Sequence, residues 1–338
     1  MAESIDGIPV RRLWVYASNS AAPFKRIMNM ISLSLTLFLA LPGLFRSRPE
    51  MVIVNSPPLP VGFSGFILSK MVRAQVIANI SDIWPMSALE LGAMRKGWFY
   101  SALERLENFI YRHSDAVMTQ SIDTRDHVLE RAPGKTTFLY RNLDYASPYV
   151  DEHPPISGQK LRIVYAGLLG VAQGVYGICV NLRLRDFGAE LHIYGDGNER
   201  EKIEQFVLEN PGCNIFLHDA VPKEKMPEVL SQFHTTIVPL TRDIKGAFPS
   251  KIYMAMSASL PVLFCGAGEG ARFVREHGIG WVSDPRDYDS LNDQIKILAR
   301  MPEGDYRSLR DHIKSLAADQ FDLEDQLDRF VSLIGQIK

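Results

Sequence analysis

Lys251 is the residue that most clearly asks for a chemical explanation. It stands in "FPSKIYMAMSASLPVLF" (248–264), where Phe248 and Pro249 break the chain and Pro261 opens the apolar run Val262, Leu263, Phe264. Ser250 is placed to cap a short helix that carries Lys251 in its first turn. A cation at a helix start opposes the helix dipole, so it points to an anion that is sometimes bound there. Three glycine-rich stretches make similar demands. "AGLLGVAQG" contributes Gly167, Gly170 and Gly174; "GDG" contributes Gly195, Asp196 and Gly197; and "GAGEG" spans 266–270. The spacing G-x-x-G-x-x-x-G is not the dinucleotide pattern, and each stretch alone reads equally well as a packing turn. No nucleophile–base pair accompanies them, and no Walker loop occurs.

The elements that must position these residues follow from the alternation of short β-rich apolar runs with helical stretches, the pattern of parallel sheets with crossover helices. In the first half, strands are expected at Pro9–Val15, Met51–Asn55, Gln75–Ile80, Ala116–Gln120 and Thr136–Leu139, with a helix near Gly97–Arg112. "YASPYVDEHPPISGQK" (145–160) gathers prolines and charges without periodicity and reads as a linker. A second series follows at 161–167, 190–197, 213–218, 235–240 and 261–266. The expected organisation is an α/β protein of two doubly wound domains, 1–150 and 161–338, joined by 151–160. Such domains bind ligands at strand C-terminal ends, in the cleft between them. Lys251 and three glycine stretches at the mouths of consecutive crossovers favour one site over four coincidences.

Composition narrows the class. The chain has 338 residues, 46% hydrophobic and 22% charged, with a formal net charge of −2 that offers nothing to nucleic acid. Cys179, Cys213 and Cys265 are far apart and fit small buried residues in a reducing compartment; the eight histidines form no metal-spaced pair. The Met-Ala-Glu-Ser start is no signal peptide, and a cytoplasmic protein is expected. "KRIMNMISLSLTLFLALPGLF" (25–45) approaches the ~20 apolar residues of a membrane span. However, Lys25, Asn29, Ser32 and Thr36 draw one polar stripe along it and Pro42-Gly43 interrupts it, so a buried or interfacial helix is expected. Lys25, Arg26, Arg46 and Arg48 flank it and could meet anionic lipid head groups at the inner face of a cell membrane, or simply solvate the helix ends.

The sequence resembles the retaining, GT-B-fold glycosyltransferases of family 4. It is most similar to the bacterial branch that adds acetamido-deoxy sugars such as N-acetyl-fucosamine to lipid-linked precursors of surface polysaccharides. In the first half the resemblance rests on "RPEMVIVNSPPLPVG" (48–62) and "ISDIWPMSALELG" (80–92). In the second it rests on "VYAGLLGVAQG" (164–174), "HIYGDGNEREKIEQ" (192–205), "VPKEKMPEVLSQFHTTIVPL" (221–240) and the Pro249-Ser250-Lys251 stretch. It implies a nucleotide sugar, UDP-linked, held mainly by the second domain, and a lipid-linked or polysaccharide acceptor held mainly by the first. No cofactor or metal is implied. The anion is then the donor diphosphate, met by the Gly167–Gly170 backbone and by Lys251, whose charge offsets that of the departing group. Gly195, Asp196 and Gly197 approach the nucleotide, and Val221 and Pro222 its base. Asp82 is the candidate to orient or deprotonate the acceptor hydroxyl, or is a cap or turn aspartate. Trp84, followed by Pro85, stacks on an acceptor sugar or fills the core.

The sequence departs from the family pattern in ways that keep a second reading open, a non-catalytic GT-B protein that binds a ligand or partner. "ESIDGIPVRRLWVYAS" matches a region well inside the family's usual first domain, so that domain is expected to be incomplete. Met254 stands where many relatives carry a glutamate that holds the ribose hydroxyls, with Gly246 at the earlier acidic place. Leu168 and Gln173 occupy the places of an arginine and a lysine, and Ser259 that of a glycine. A GT-B-fold sugar epimerase lacks its carboxylate–histidine signature.

Overall fold

The computed structural model describes residues 2–17, 23–143 and 153–337; residues 145–152 of the expected linker fall outside them. The chain divides into two compact units, Met1–Arg141 with Ser332–Lys338, and Asn142–Val331. The boundary falls before the expected 151–160 segment because Leu143 already packs against a hydrophobic cluster of the second unit.

The first unit holds a hairpin of β1 (Ala2–Ile5) and β2 (Ile8–Arg11), and a parallel sheet of β3 (Met51–Ser56), β4 (Gln75–Ile80), β5 (Ala116–Thr119) and β6 (Thr137–Leu139) in that spatial order. The sheet matches the expected strands to within a residue or two. Pro9–Val15 does not join it. β2 ends at Arg11, and the following backbone is drawn alongside the helix Pro23–Thr36 by that helix's polar side chains. Asn29 donates to the Tyr16 carbonyl (2.9 Å), Thr36 to that of Trp14 (2.8 Å), and the Tyr16 amide donates to Ser32 (2.9 Å).

Those bonds also turn the polar stripe inward. Ser32 and Ser34 are buried, and the Ser34 hydroxyl meets that of Ser64 (2.6 Å) on the neighbouring helix Leu59–Met71. The apolar residues Ile27, Met28, Ile31, Leu35, Phe38 and Leu39 are exposed instead, through the 3₁₀ turn Leu37–Ala40 that leads into a further helix, Leu41–Ser47. The side chain of Arg26 is outside the description.

The core of the first unit contains an ionisable network. Glu107, on the helix Trp98–His113, is 1% exposed. It accepts hydrogen bonds from the Tyr111 hydroxyl (2.7 Å) and His127 Nε2 (3.1 Å). Arg131 donates to His127 Nδ1 (3.0 Å), which makes the imidazole a neutral Nε2–H tautomer that links the guanidinium to the carboxylate.

The second unit carries a six-stranded parallel sheet in the order β9-β8-β7-β10-β11-β12. Its strands are β7 (Leu161–Ala166), β8 (Ala189–Tyr194), β9 (Ile215–His218), β10 (Thr235–Pro239), β11 (Val262–Cys265) and β12 (Gly280–Ser283). Five were expected. β12, the short run Gly280–Ser283, was not. The order reverses direction between β7 and β10, the switch point at which a doubly wound sheet opens a crevice at its carboxyl edge. Ser259, at the glycine place before β11, has φ +52°, the left-handed conformation that a glycine adopts without strain. Cys179 and Cys265 are buried, as expected of small core residues, and burial pushes the Cys179 thiol up to about 12.

Removing the Glu107 carboxylate would orphan two buried donors at once, the Tyr111 hydroxyl and His127 Nε2. Glu107→Ala should lower the unfolding free energy by about 3–5 kcal/mol, the usual cost of breaking a buried ionic network from one side. Urea denaturation of the two proteins measures it.

Candidate functional site

The site grows from two backbone turns pressed together at the carboxyl edge of β7 and β8. The Gly167 amide donates to the Tyr194 carbonyl (2.9 Å), and the Leu169 amide to that of Asp196 (2.8 Å). A Cβ on Gly195 would stand 1.9 Å from the Gly167 carbonyl oxygen, and one on Gly197 2.6 Å from that of Leu169. Only glycine permits this approach of backbone to backbone. Arg200 pins the second turn, donating to the carbonyls of Gly195 (2.7 Å) and His218 (3.0 Å) and pairing with Asp219 (2.8 Å).

Lys251 is laid across the first turn. A Cβ on Gly167 would meet its Cε at 2.5 Å and its Nζ at 2.7 Å, so the bare glycine makes room for the lysine end. The ammonium lies 5.5 Å from the centre of the buried Tyr165 ring, whose hydroxyl donates to the Leu168 carbonyl (2.5 Å). Burial lowers the Lys251 pKa below the ordinary lysine value. Among the described residues no carboxylate stands within salt-bridge distance of it. Lys251 opens the helix Lys251–Ser257, as expected, but Ser250 makes no side-chain capping bond there. Ser250 contributes its carbonyl instead, to the amides of Tyr253 (3.0 Å) and Met254 (3.2 Å).

These parts enclose a cavity of about 500 Å³ within the second unit, of the size that takes a small-molecule ligand. Of the residues singled out in the sequence, Gly167, Leu168, Gly195, Asp196, Val221, Ser250, Lys251 and Met254 line it. Gly170, Gly197, Pro222 and Pro249 do not, and neither does the 266–270 stretch. Gly170 starts the turn that returns to Gly174, accepting from its amide (3.1 Å), while Gly270 packs against Phe264 and Pro249. Met254 has one side against the core and another toward the cavity. Leu168, at the arginine place, is 61% exposed at the rim.

Sequence reading missed Tyr194, Lys223, Met226, Asn142 and Leu143, which also line the cavity. Tyr194 was detectable. Along β8 the buried positions are Ala189, Leu191 and Ile193, so Tyr194 sits off that face. Its ring stacks on His218 (4.3 Å, 12°) and presents an aromatic wall. Asn142 and Leu143 carried no signal, since their place depends on where the chain enters the second unit.

Asp82, Trp84 and Pro85 belong to the first unit. Burial raises the Asp82 pKa above the ordinary carboxylate value, partly opposed by hydrogen bonds from the Ser87 side chain and the Ile83 backbone. Trp84 packs, partly buried, against the apolar cluster that includes Leu59, Ile80 and Leu103, and Pro85 is buried.

Residues 1–139 match the sequence family described as "Glycosyl transferase 4-like domain", and residues 163–300 that described as "Glycosyl transferases group 1". No curated protein matches the sequence significantly. The fold is similar to sucrose-phosphate synthase from Thermosynechococcus elongatus, with TM-score 0.76 at 16% identity over 99% of this chain and 84% of that one. It is similar to Anabaena HepE in complex with UDP and glucose, with TM-score 0.68 at 13% identity over 98% and 87%. It is also similar to S. aureus TarM in complex with UDP, with TM-score 0.66 at 16% identity over 88% of this chain and 58% of TarM's length. These are GT-B structures, and the two parallel-sheet units of this chain share their fold.

A half-buried lysine with no carboxylate beside it among the described residues predicts a specific behaviour. Lys251→Ala should weaken UDP binding by about 1.5–3 kcal/mol, the value of a hydrogen bond to a charged group, and change uridine binding little. Diphosphate affinity is full while Lys251 is protonated and falls as pH rises through its pKa. Because burial lowers that pKa, the fall should begin at lower pH than for an exposed lysine. Calorimetry of UDP and uridine from neutral to alkaline pH reads both effects.

Proposed function

With both halves matched by glycosyltransferase families, the chain belongs to the GT-B glycosyltransferases, and we propose that it moves a sugar from a UDP-linked donor onto a lipid-linked or polysaccharide acceptor of a bacterial surface. The observation that carries this reading is Lys251, a half-buried lysine without an acidic partner among the described residues, laid over the bare Gly167 backbone and lining a 500 Å³ cavity. That arrangement fits a diphosphate: the Lys251 ammonium supplies the charge for its oxygens, and Tyr194 and the Val221 segment border the space left for a nucleoside. HepE and TarM each hold UDP in a fold of this kind.

In the proposed reaction the bond between the sugar anomeric carbon and the β-phosphate oxygen breaks, and a bond from that carbon to an acceptor hydroxyl oxygen forms. Lys251 stabilises the negative charge that gathers on the leaving UDP. Asp82 orients the acceptor hydroxyl or takes its proton. Its raised pKa brings it nearer the range in which a carboxylate acts as a base in neutral solution. Retention of anomeric configuration and an acetamido-deoxy donor are the finer forms of the proposal, resting on the resemblance to the branch that adds such sugars.

A second reading, a GT-B protein that binds a nucleotide or a partner without turnover, is favoured by Met254. It borders the cavity where a glutamate would accept two ribose hydroxyl bonds. At about 1 kcal/mol net for each bond, the methionine lowers affinity by roughly ten- to a hundredfold and leaves the site in place.

Two variants separate the readings. Asp82→Asn should reduce transfer or donor hydrolysis about 10²–10⁴-fold with UDP affinity unchanged, since the cavity is built by the second unit alone. Equal background rates in Asp82→Asn and the parent across a sugar-nucleotide screen support the non-catalytic reading. Met254→Glu should tighten UDP binding; lost stability with unchanged affinity would make Met254 a core residue and displace the ribose pocket.

A further inference from the structure

The helix Pro23–Thr36 and its continuation to Ser47 have their amphipathicity turned outward. Their polar residues bond inward: Asn29, Ser32 and Thr36 hold the backbone of Trp14 and Tyr16, and Ser34 holds Ser64 and the Pro60 carbonyl (2.9 Å). Ile27, Met28, Ile31, Leu35, Phe38 and Leu39 recur at helical spacing on the opposite side, and all are exposed, Leu35 by 66% and Leu39 by 61%. Phe45 continues this surface and is 51% exposed. Only 6% of the most apolar stretch within 27–47 is buried. A helix facing water would show the reverse pattern, because each large apolar side chain left in water forgoes about 1.5–3 kcal/mol.

Cations flank this surface. Lys25, Arg46 and Arg48 are exposed at its two ends, no acidic residue occurs from Lys25 to Arg48, and an Arg11 Nη1 lies 3.4 Å from where a Cβ on Gly43 would be. We propose that this face is a docking surface for an anionic lipid bilayer, with the helix lying in the interface and its apolar side chains below the head groups. A bilayer supplies both complements at once, hydrocarbon for the stripe and phosphate for the cations at its ends. A second copy of the same face would instead bring like charges together. A transmembrane passage would strip Ser32, Ser34 and Thr36 of the bonds that tie the helix to its own unit. The inference is independent of the donor site, which lies in the other unit.

The test is flotation of the full chain with phosphatidylcholine vesicles, with and without phosphatidylglycerol. The protein should float with the anionic vesicles, bind neutral ones more weakly, and leave both in alkaline carbonate. Leu35→Asp with Leu39→Asp should lower partition roughly tenfold or more. Lys25→Glu with Arg46→Glu and Arg48→Glu should lower it on anionic vesicles alone. Unchanged thermal melts and UDP calorimetry in both variants identify the loss as one of docking. The proposal is overturned if the parent chain stays unbound with anionic vesicles, if only detergent releases it, or if the aspartate pair dissociates a vesicle-free dimer seen by light scattering. Failure to bind UDP by a chain that floats would overturn the donor-site reading and leave this one standing.

Discussion

Two turns of bare backbone, Gly167–Leu169 and Gly195–Gly197, touch directly at the edge of the second sheet, and the site depends on that contact. No side chain fits between them, so their separation is set by peptide geometry and by two amide–carbonyl bonds. The contact fixes how far β7 and β8 can carry their ends past the sheet, and it leaves Gly167 with an open face. Lys251 fills that face. A single methyl group on either turn would push the lysine out or part the loops, which makes these glycines requirements of position.

The charge placed there explains much of the surrounding chemistry. Lys251 is held by packing and by the Tyr165 ring, and burial makes its charge costly until an anion arrives. In the proposed reading a donor diphosphate offsets that cost. The first unit handles buried charge in the opposite way. Glu107, Tyr111, His127 and Arg131 satisfy one another, so that network stabilises the domain and asks for nothing from outside. Asp82 stands beside this closed network, and its raised pKa comes first from burial. The contrast between an open charge and a closed one separates the part of the molecule built to bind from the part built to hold.

The outward-facing apolar helix follows the same reasoning. Its hydroxyl and amide side chains are consumed by the backbone of Trp14 and Tyr16 and by Ser64, which ties a short exposed hairpin and a helix to the sheet. With its polar groups used internally, the helix keeps only apolar side chains for the exterior.

The sequence by itself determined the α/β class, the four strands of the first parallel sheet and five of the six of the second, and it singled out Lys251 at the start of its helix. Alternation and glycine placement are local, and strands of five or six residues repeat often enough to be read. It did not determine which glycines face the cavity. Gly167 and Gly195 line it, while Gly170 and Gly197, in the same motifs, support it from behind, because φ and the approach of a second loop decide that and neither is local. Tyr194 was legible from the register of β8, but Asn142 and Leu143 were not, since only the path of the chain into the second unit brings them to the cavity. The polar stripe of residues 25–36 was visible as a pattern, and its direction was not. Periodicity identifies two faces of a helix; only the tertiary hydrogen bonds of Asn29, Ser32, Ser34 and Thr36 decided which of them turned inward.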